Sequence, residues 1–246
     1  SGTDGYSEIT SDSEGLSDLE KIGVPFAQQL GEEVSIIMHK TMKSMIDATG
    51  GTNAKYKEAT KEERENNKKD EIHVYIGPSI GLDSEIIPAD PQQVLKDLVH
   101  ETGHFVFRDI VNNDEKRNEI MKAIRELAKE NSAAATLIER VNRTYADYKR
   151  VEFEKEVINH FMEAIALAEL MKQGEITSES VLNGLEEVFK DMTGGFEEIL
   201  SKVLGQNVNA EGAIKIAINH TNFVRKQRIA AGTERAAQEI HNIEPA

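Results

Sequence analysis

The chain has no cysteine and no tryptophan, only five prolines in 246 residues, and an aromatic content of just 5%. The missing cysteines exclude disulfide scaffolds, thiol nucleophiles and thiolate metal sites together. With so few rings, any core must be aliphatic and alanine-rich. A cationic surplus is lacking too: 29 Lys and Arg face 44 Asp and Glu, for a net charge of −15. Nothing is left over to displace phosphate counterions, so no nucleic-acid partner is expected, and an anionic membrane surface is disfavoured for the same reason. No apolar run approaches the roughly 18 residues that span a bilayer, so no membrane insertion is expected. The first residues also lack the basic-then-apolar pattern of a secretory signal, and the expectation is a soluble, cytoplasmic chain.

What is present suffices for one generous domain or a domain with an appended lobe, since 39% of the residues are hydrophobic. Residues 1–20 are rich in Ser, Gly, Asp and Glu and predict a flexible tail. From Phe26 onward, Leu30, Val34, Ile37, Met38, Met42, Met45 and Ile46 recur at spacings of three and four, which predicts a helix stopped by Gly50-Gly51. Residues 52–70 are charged and predict an exposed loop or solvated helix. Ile72–Ile76 is the best strand candidate, closed by Gly77-Pro78, with a loop to residue 90. Asp90 as N-cap and Pro91 as first helical residue open a helix that runs to about Arg108. Helices are then expected over 114–131, 133–150 and 151–171, and near 179–192, 196–204 and 209–240. The reading is a tail (1–20), a main domain (21–175) and a helical lobe (176–246). The fold class is α+β, predominantly helical, with a small β element beside one central helix.

The specific signal is His100-Glu101-Thr102-Gly103-His104 on that helix. Two His four apart lie one above the other on a helix face, so both imidazoles reach one metal ion. Glu101, rotated by about 100°, reaches a water beside the metal rather than the metal itself. By composition such a match arises by chance in roughly one chain per hundred of this length. The motif is also embedded in the apolar residues Val94, Leu95, Leu98, Val99, Phe105 and Phe107, where two buried imidazoles are costly unless paired or metallated. Gly103 is a poor residue for mid-helix and suggests close approach by another segment.

The stretch from Leu98 to His104 resembles the active-site helix of zincin metallopeptidases. More narrowly it is similar to the gluzincins, a group that includes the catalytic domain of anthrax lethal factor. The resemblance implies a Zn²⁺-dependent endopeptidase acting on a protein or peptide substrate. In that group a Glu on a later helix is the third ligand, and a Tyr shortly before it assists the oxyanion. Glu154-Lys155-Glu156-Val157-Ile158 resembles the group's acidic pair followed by two apolar residues. The resemblance therefore implies metal ligands His100, His104 and Glu156, with Glu101 as general base and Tyr148 as oxyanion donor. It also implies a setting like that of bacterial effector or toxin proteases acting in a host cytosol.

The residues themselves leave alternatives open. Glu154, Glu163 and His160 rival Glu156 on the same helix, and Glu163 is read from the helical wheel as closer to solvent. Tyr145, three residues before Tyr148, is a rival donor on the same expected helix face. The group usually has Ala where this chain has Asn159. His73 and its strand are a candidate platform on which an extended substrate could pair. The −15 charge suggests a basic substrate by electrostatic steering. A different class also fits: a helical binding or regulatory protein whose zinc is structural, closed by a fourth protein ligand.

Overall fold

A computed structural model describes residues 5–172, together with residues 174, 176 and 177. The helices expected beyond residue 178, and with them most of the lobe 176–246, lie outside the described residues. The architecture is mixed: a small sheet packed against a larger helical layer, which is the α+β class. The sheet has four strands in the order β1-β2-β4-β3, where β1 is Tyr6–Ile9, β2 Val34–His39, β3 Ala54–Lys57 and β4 Asp70–Tyr75. The central β2–β4 pair is parallel and both outer pairs are antiparallel. Helices α1 (Asp18–Lys21) and α2 (Val24–Leu30) precede β2; α3 (Met42–Thr49) follows it, and α4 (Lys61–Glu65) separates β3 from β4.

Several of these elements depart from the sequence expectation. The helix predicted from Phe26 to Ile46 is instead α2, β2 and α3. Strand β2 lies between two neighbours and is buried on both faces, so its apolar run VSIIMH mimics helical spacing. Residues 6–9 and 18–20, read as tail, belong to the fold: Tyr6 pairs with His39, and Ser17 closes a capping box with Glu20. Residues 54–57, read as loop or solvated helix, form the edge strand β3. Its lysines are what an edge uses to discourage further pairing, and they hide the strand in a charged stretch. Consequently β4, carrying His73, is paired on both sides, and the edges of the sheet are β1 and β3.

Residues 77–90 are not a plain loop either. They hold a two-stranded hairpin, β5 (Ser79–Ile80) and β6 (Ile86–Ile87), with Ile80, Leu82, Ile86 and Ile87 exposed. Helix α5 (Pro91–Val106) begins at Asp90, whose side chain accepts from the Gln92 N–H at 2.9 Å. It is followed by α6 (Arg108–Val111), α7 (Asp114–Glu130), α8 (Ser132–Thr144) and α9 (Arg150–Lys172). Ile36, Met38, Ile72 and Val74 of the sheet share one core with Leu95, Leu98 and Val99 of α5. The same core takes in Val157, Phe161 and Leu167 of α9, Ile120 and Ile124 of α7, and Leu137 of α8. Helix α9 is thus surrounded, which is why it is apolar around most of its circumference. Among the described residues no helix is long and apolar enough to cross a membrane.

Candidate metal centre

Helix α5 presents His100 and His104 towards α9, and α9 presents Glu156, His160 and Glu163 back at them. The spacing i, i+4, i+7 places these three residues on one face of α9. The Glu156 carboxylate stands between the two imidazoles, with Oε2 at 3.5 Å from His100 Nε2 and Oε1 at 3.3 Å from His104 Nε2. A tetrahedral ion with bonds of about 2.0–2.2 Å separates its ligand atoms by about 3.3–3.5 Å, the spacing of each imidazole from the carboxylate, and the three groups lie close enough together to hold one ion. Glu156 Oε2 is buried with no hydrogen-bond partner, an orphan that a cation would satisfy.

A second trio, His100, His160 and Glu163, also lies close enough to hold an ion. Here His100 Nδ1 meets Glu163 Oε2 at 2.7 Å. That is a hydrogen-bond length, too short for two ligand atoms on one ion. Glu163 therefore accepts the Nδ1–H of His100, which directs Nε2 at Glu156 and fixes the tautomer a metal needs. The reading of Glu163 as nearer solvent does not hold. It is 5% exposed, because α9 is packed on every side that matters here. Glu154 is turned away from the imidazoles and pairs with Arg150 at 3.2 Å.

The electrostatics match a cation site. Burial works against a charged His100, but the carboxylates of Glu163 and Glu156 outweigh it and hold its pKa well above the usual histidine value. Burial works against a charged Glu156 too, and the two imidazoles override it and hold that carboxyl far below its usual range. Without an ion the cluster takes up a proton; a divalent cation would supply the same positive charge at the same place. Neighbouring His160 is held down to about 4 by burial and by His100, so it is neutral.

Gly103 has the close neighbour that the sequence suggested. A Cβ at this position would lie 2.2 Å from Asn159 Oδ1. Asn159 donates Nδ2–H to the His100 carbonyl at 2.9 Å, tying α9 to the turn of α5 that carries His100. The missing Cβ at 103 and the larger residue at 159 are two halves of one packing arrangement.

Glu101 lies on the other side of His100, beside the edge strand. Its Oε2 accepts the backbone N–H of Tyr56 at 2.6 Å. Together with His100, His104 and Glu156 it lines a cleft of about 460 Å³ walled by Tyr56, Arg108, Tyr145 and Tyr148. Both tyrosines sit in the turn between α8 and α9, not on the helix expected over 133–150. Tyr148 is 49% exposed, whereas Tyr145 stands deeper, its ring 5.9 Å from that of His160. Burial and the carboxylates of Glu156, Glu163 and Glu101 raise the Tyr145 hydroxyl pKa, so it is a proton donor. Tyr148 is raised by burial, Glu156 and Glu101.

His39 and His73 are elsewhere, under α3 on the opposite face of the sheet. They form a buried pair, His39 Nε2 to His73 Nδ1 at 2.8 Å, with His39 Nδ1 at 2.6 Å from Ser44 Oγ. The residues that sequence reasoning missed are Tyr56 and Asp70. Nothing in a charged edge strand or an isolated aspartate marks them in advance. Comparison with the models of known protein families, with curated proteins and with solved structures finds no match to this chain.

Proposed function

We propose that this chain is a zinc-dependent endopeptidase of the zincin type, with His100, His104 and Glu156 as metal ligands and Glu101 as general base. The observation that carries the reading is the ligand spacing: one carboxylate with its two oxygens 3.5 and 3.3 Å from the two imidazole Nε2 atoms, beside a second carboxylate in an open cleft. Two nitrogens and an oxygen suit zinc, and three protein ligands with an open position distinguish catalytic from structural sites. When bound, such an ion polarises a carbonyl and acidifies water.

The remaining steps belong to the chain. Glu101 takes a proton from the attacking water and delivers it to the leaving amine. Tyr145 or Tyr148, both protonated, donates to the oxygen that becomes negative as the carbonyl carbon turns tetrahedral. An extended substrate pairs along the outer edge of β3. Asn53 accepts from the Tyr75 N–H, so by alternation Ala54 and Tyr56 point their backbone groups off the sheet. The Tyr56 N–H is already taken by Glu101, which leaves Ala54 and the Tyr56 carbonyl for the substrate. The −15 charge steers a basic protein towards the molecule, while the cleft wall itself is mixed, with Lys55, Arg108 and Lys155 against Glu58 and Glu152. A bacterial effector acting in a host cytosol is the setting that accords with the resemblance.

The competing reading is a structural zinc in a non-catalytic protein, which needs a fourth protein ligand. Zinc content and cleavage of an unstructured protein such as casein, in wild type and Glu101→Gln, separate the two. Loss of cleavage with one zinc retained is expected. Equal cleavage by both proteins, or none by the zinc-loaded wild type, overturns the proposal.

A further inference from the structure

Resting on that reading, we infer that Tyr56 and Asp70 form a positioning clamp that aims the Glu101 carboxylate. Tyr56 touches both the base and Asp70, a buried residue at the start of β4. Its backbone N–H meets Glu101 Oε2 at 2.6 Å, and its hydroxyl donates to Asp70 Oδ2 at 2.6 Å. Its ring lies parallel to that of His104 (7° between planes, centroids 6.4 Å apart) and edge-on to Phe105 at 6.2 Å. Asp70 is 3% exposed, and its other oxygen accepts the Ala59 N–H at 2.9 Å and Arg64 Nη2 at 3.1 Å.

The need for a clamp follows from where Tyr56 sits. Strand β3 is four residues long and at the sheet edge, held by a ladder on one side only. Such a strand can roll about its own axis, and rolling swings the outward N–H away from whatever it faces. The Tyr56 ring carries its hydroxyl across the core face to Asp70, two residues before its pairing partner Ile72. That gives the strand a second fixed point off its axis. Asp70 in turn holds the chain just after β3 through Ala59 and Arg64, so both ends of the lever are tied. A carboxylate bonded to an N–H so held has Oε2 committed, and Oε1 is left as the oxygen that takes the proton. The bond is charge-assisted and short, so it constrains direction strongly.

The hydroxyl and Asp70 never touch the reacting atoms, so their loss should cost geometry and spare the metal. In Tyr56→Phe and in Asp70→Asn, kcat should fall roughly 10- to 100-fold, as for a base displaced by a fraction of an ångström. Zinc content should stay within about twofold of wild type because neither group touches a proposed ligand, whereas KM should rise, since the same strand pairs the substrate. A second readout needs no activity: in ¹⁵N-tyrosine-labelled protein the Tyr56 amide proton should resonate far downfield. It should move upfield and exchange faster in Glu101→Ala and in Asp70→Asn. Either variant turning over within twofold of wild type overturns the clamp. So does a fall in kcat that merely tracks a loss of folded protein in thermal melts. If wild type proves inactive, the peptidase reading fails by itself. An unmoved Tyr56 amide then rejects the clamp, and a moved one retains its geometry without its catalytic purpose.

Discussion

Replacing Gly103 by alanine separates this structure from any ordinary helix. At an exposed mid-helix site the change stabilises by about 1 kcal/mol, because glycine is the costlier residue to order. At this position the new Cβ would stand 2.2 Å from Asn159 Oδ1 and 3.2 Å from its Cγ. Asn159 is 2% exposed and donates to the His100 carbonyl, so it cannot turn aside without stranding a buried amide. Overpacking costs about 1–3 kcal/mol. A lost buried hydrogen bond adds about 1–3 kcal/mol. Set against the propensity gain of about 1 kcal/mol, Gly103→Ala should destabilise by about 1–5 kcal/mol. Urea unfolding of zinc-free protein measures it. Asn159→Ala removes the obstruction, so the double variant should regain at least about 2 kcal/mol relative to the sum of the singles. Stabilisation by Gly103→Ala alone, or simple additivity of the two changes, would refute the packing argument.

Other consequences are open to measurement. Glu163→Gln leaves the ligands in place but weakens the hold on His100 Nδ1, and competition with a chromogenic chelator should show zinc binding 10- to 100-fold weaker. Glu154→Gln should leave zinc affinity within about twofold, because that carboxylate faces Arg150; a large loss would reassign the third ligand. Zinc-free protein should lose stability as pH falls from about 6.5 towards about 4. Burial, and His73 beside it, hold His39 at about 4; burial and His100 hold His160 there. Because these folded pKa values lie below the unfolded one, the unfolded chain binds protons first, and their stabilisation is present above pH 6.5 and lost below it. A decline of at least about 3 kcal/mol in unfolding free energy from urea titrations across that window is expected, and a flat profile would contradict the burial of these two neutral histidines. Chelating the zinc should stop turnover while far-ultraviolet circular dichroism stays native, since α5 and α9 are also held together by core residues such as Leu98, Val157 and Phe161.

How far the sequence is legible depends on where each signal resides. Helix α5 is readable because its signals are local: Asp90 and Pro91 cap it, and the two His residues four apart face one way by helical geometry alone. Strand β4 is readable from its β-branched run. Strand β2 is not, because burial on both faces removes the alternation that marks a strand. Strand β3 fails for the opposite reason, its edge position filling it with lysines. Glu156 and Glu163 lie on one face of α9, half-buried and buried, so no helical wheel can separate a proposed ligand from its orienting partner. Their difference lies in whether the carboxylate meets Nε2 or Nδ1 of His100, which only the packing of α9 against α5 decides. Asn159, by contrast, left a trace in the glycine opposite.

The most direct test of the central claim is anomalous scattering at the zinc absorption edge from crystals of the zinc-loaded protein. The account predicts one strong peak bonded to His100 Nε2, His104 Nε2 and a Glu156 oxygen, with Glu163 still on His100 Nδ1. No peak there, or a peak on the His160–Glu163 side of the ring, would contradict it.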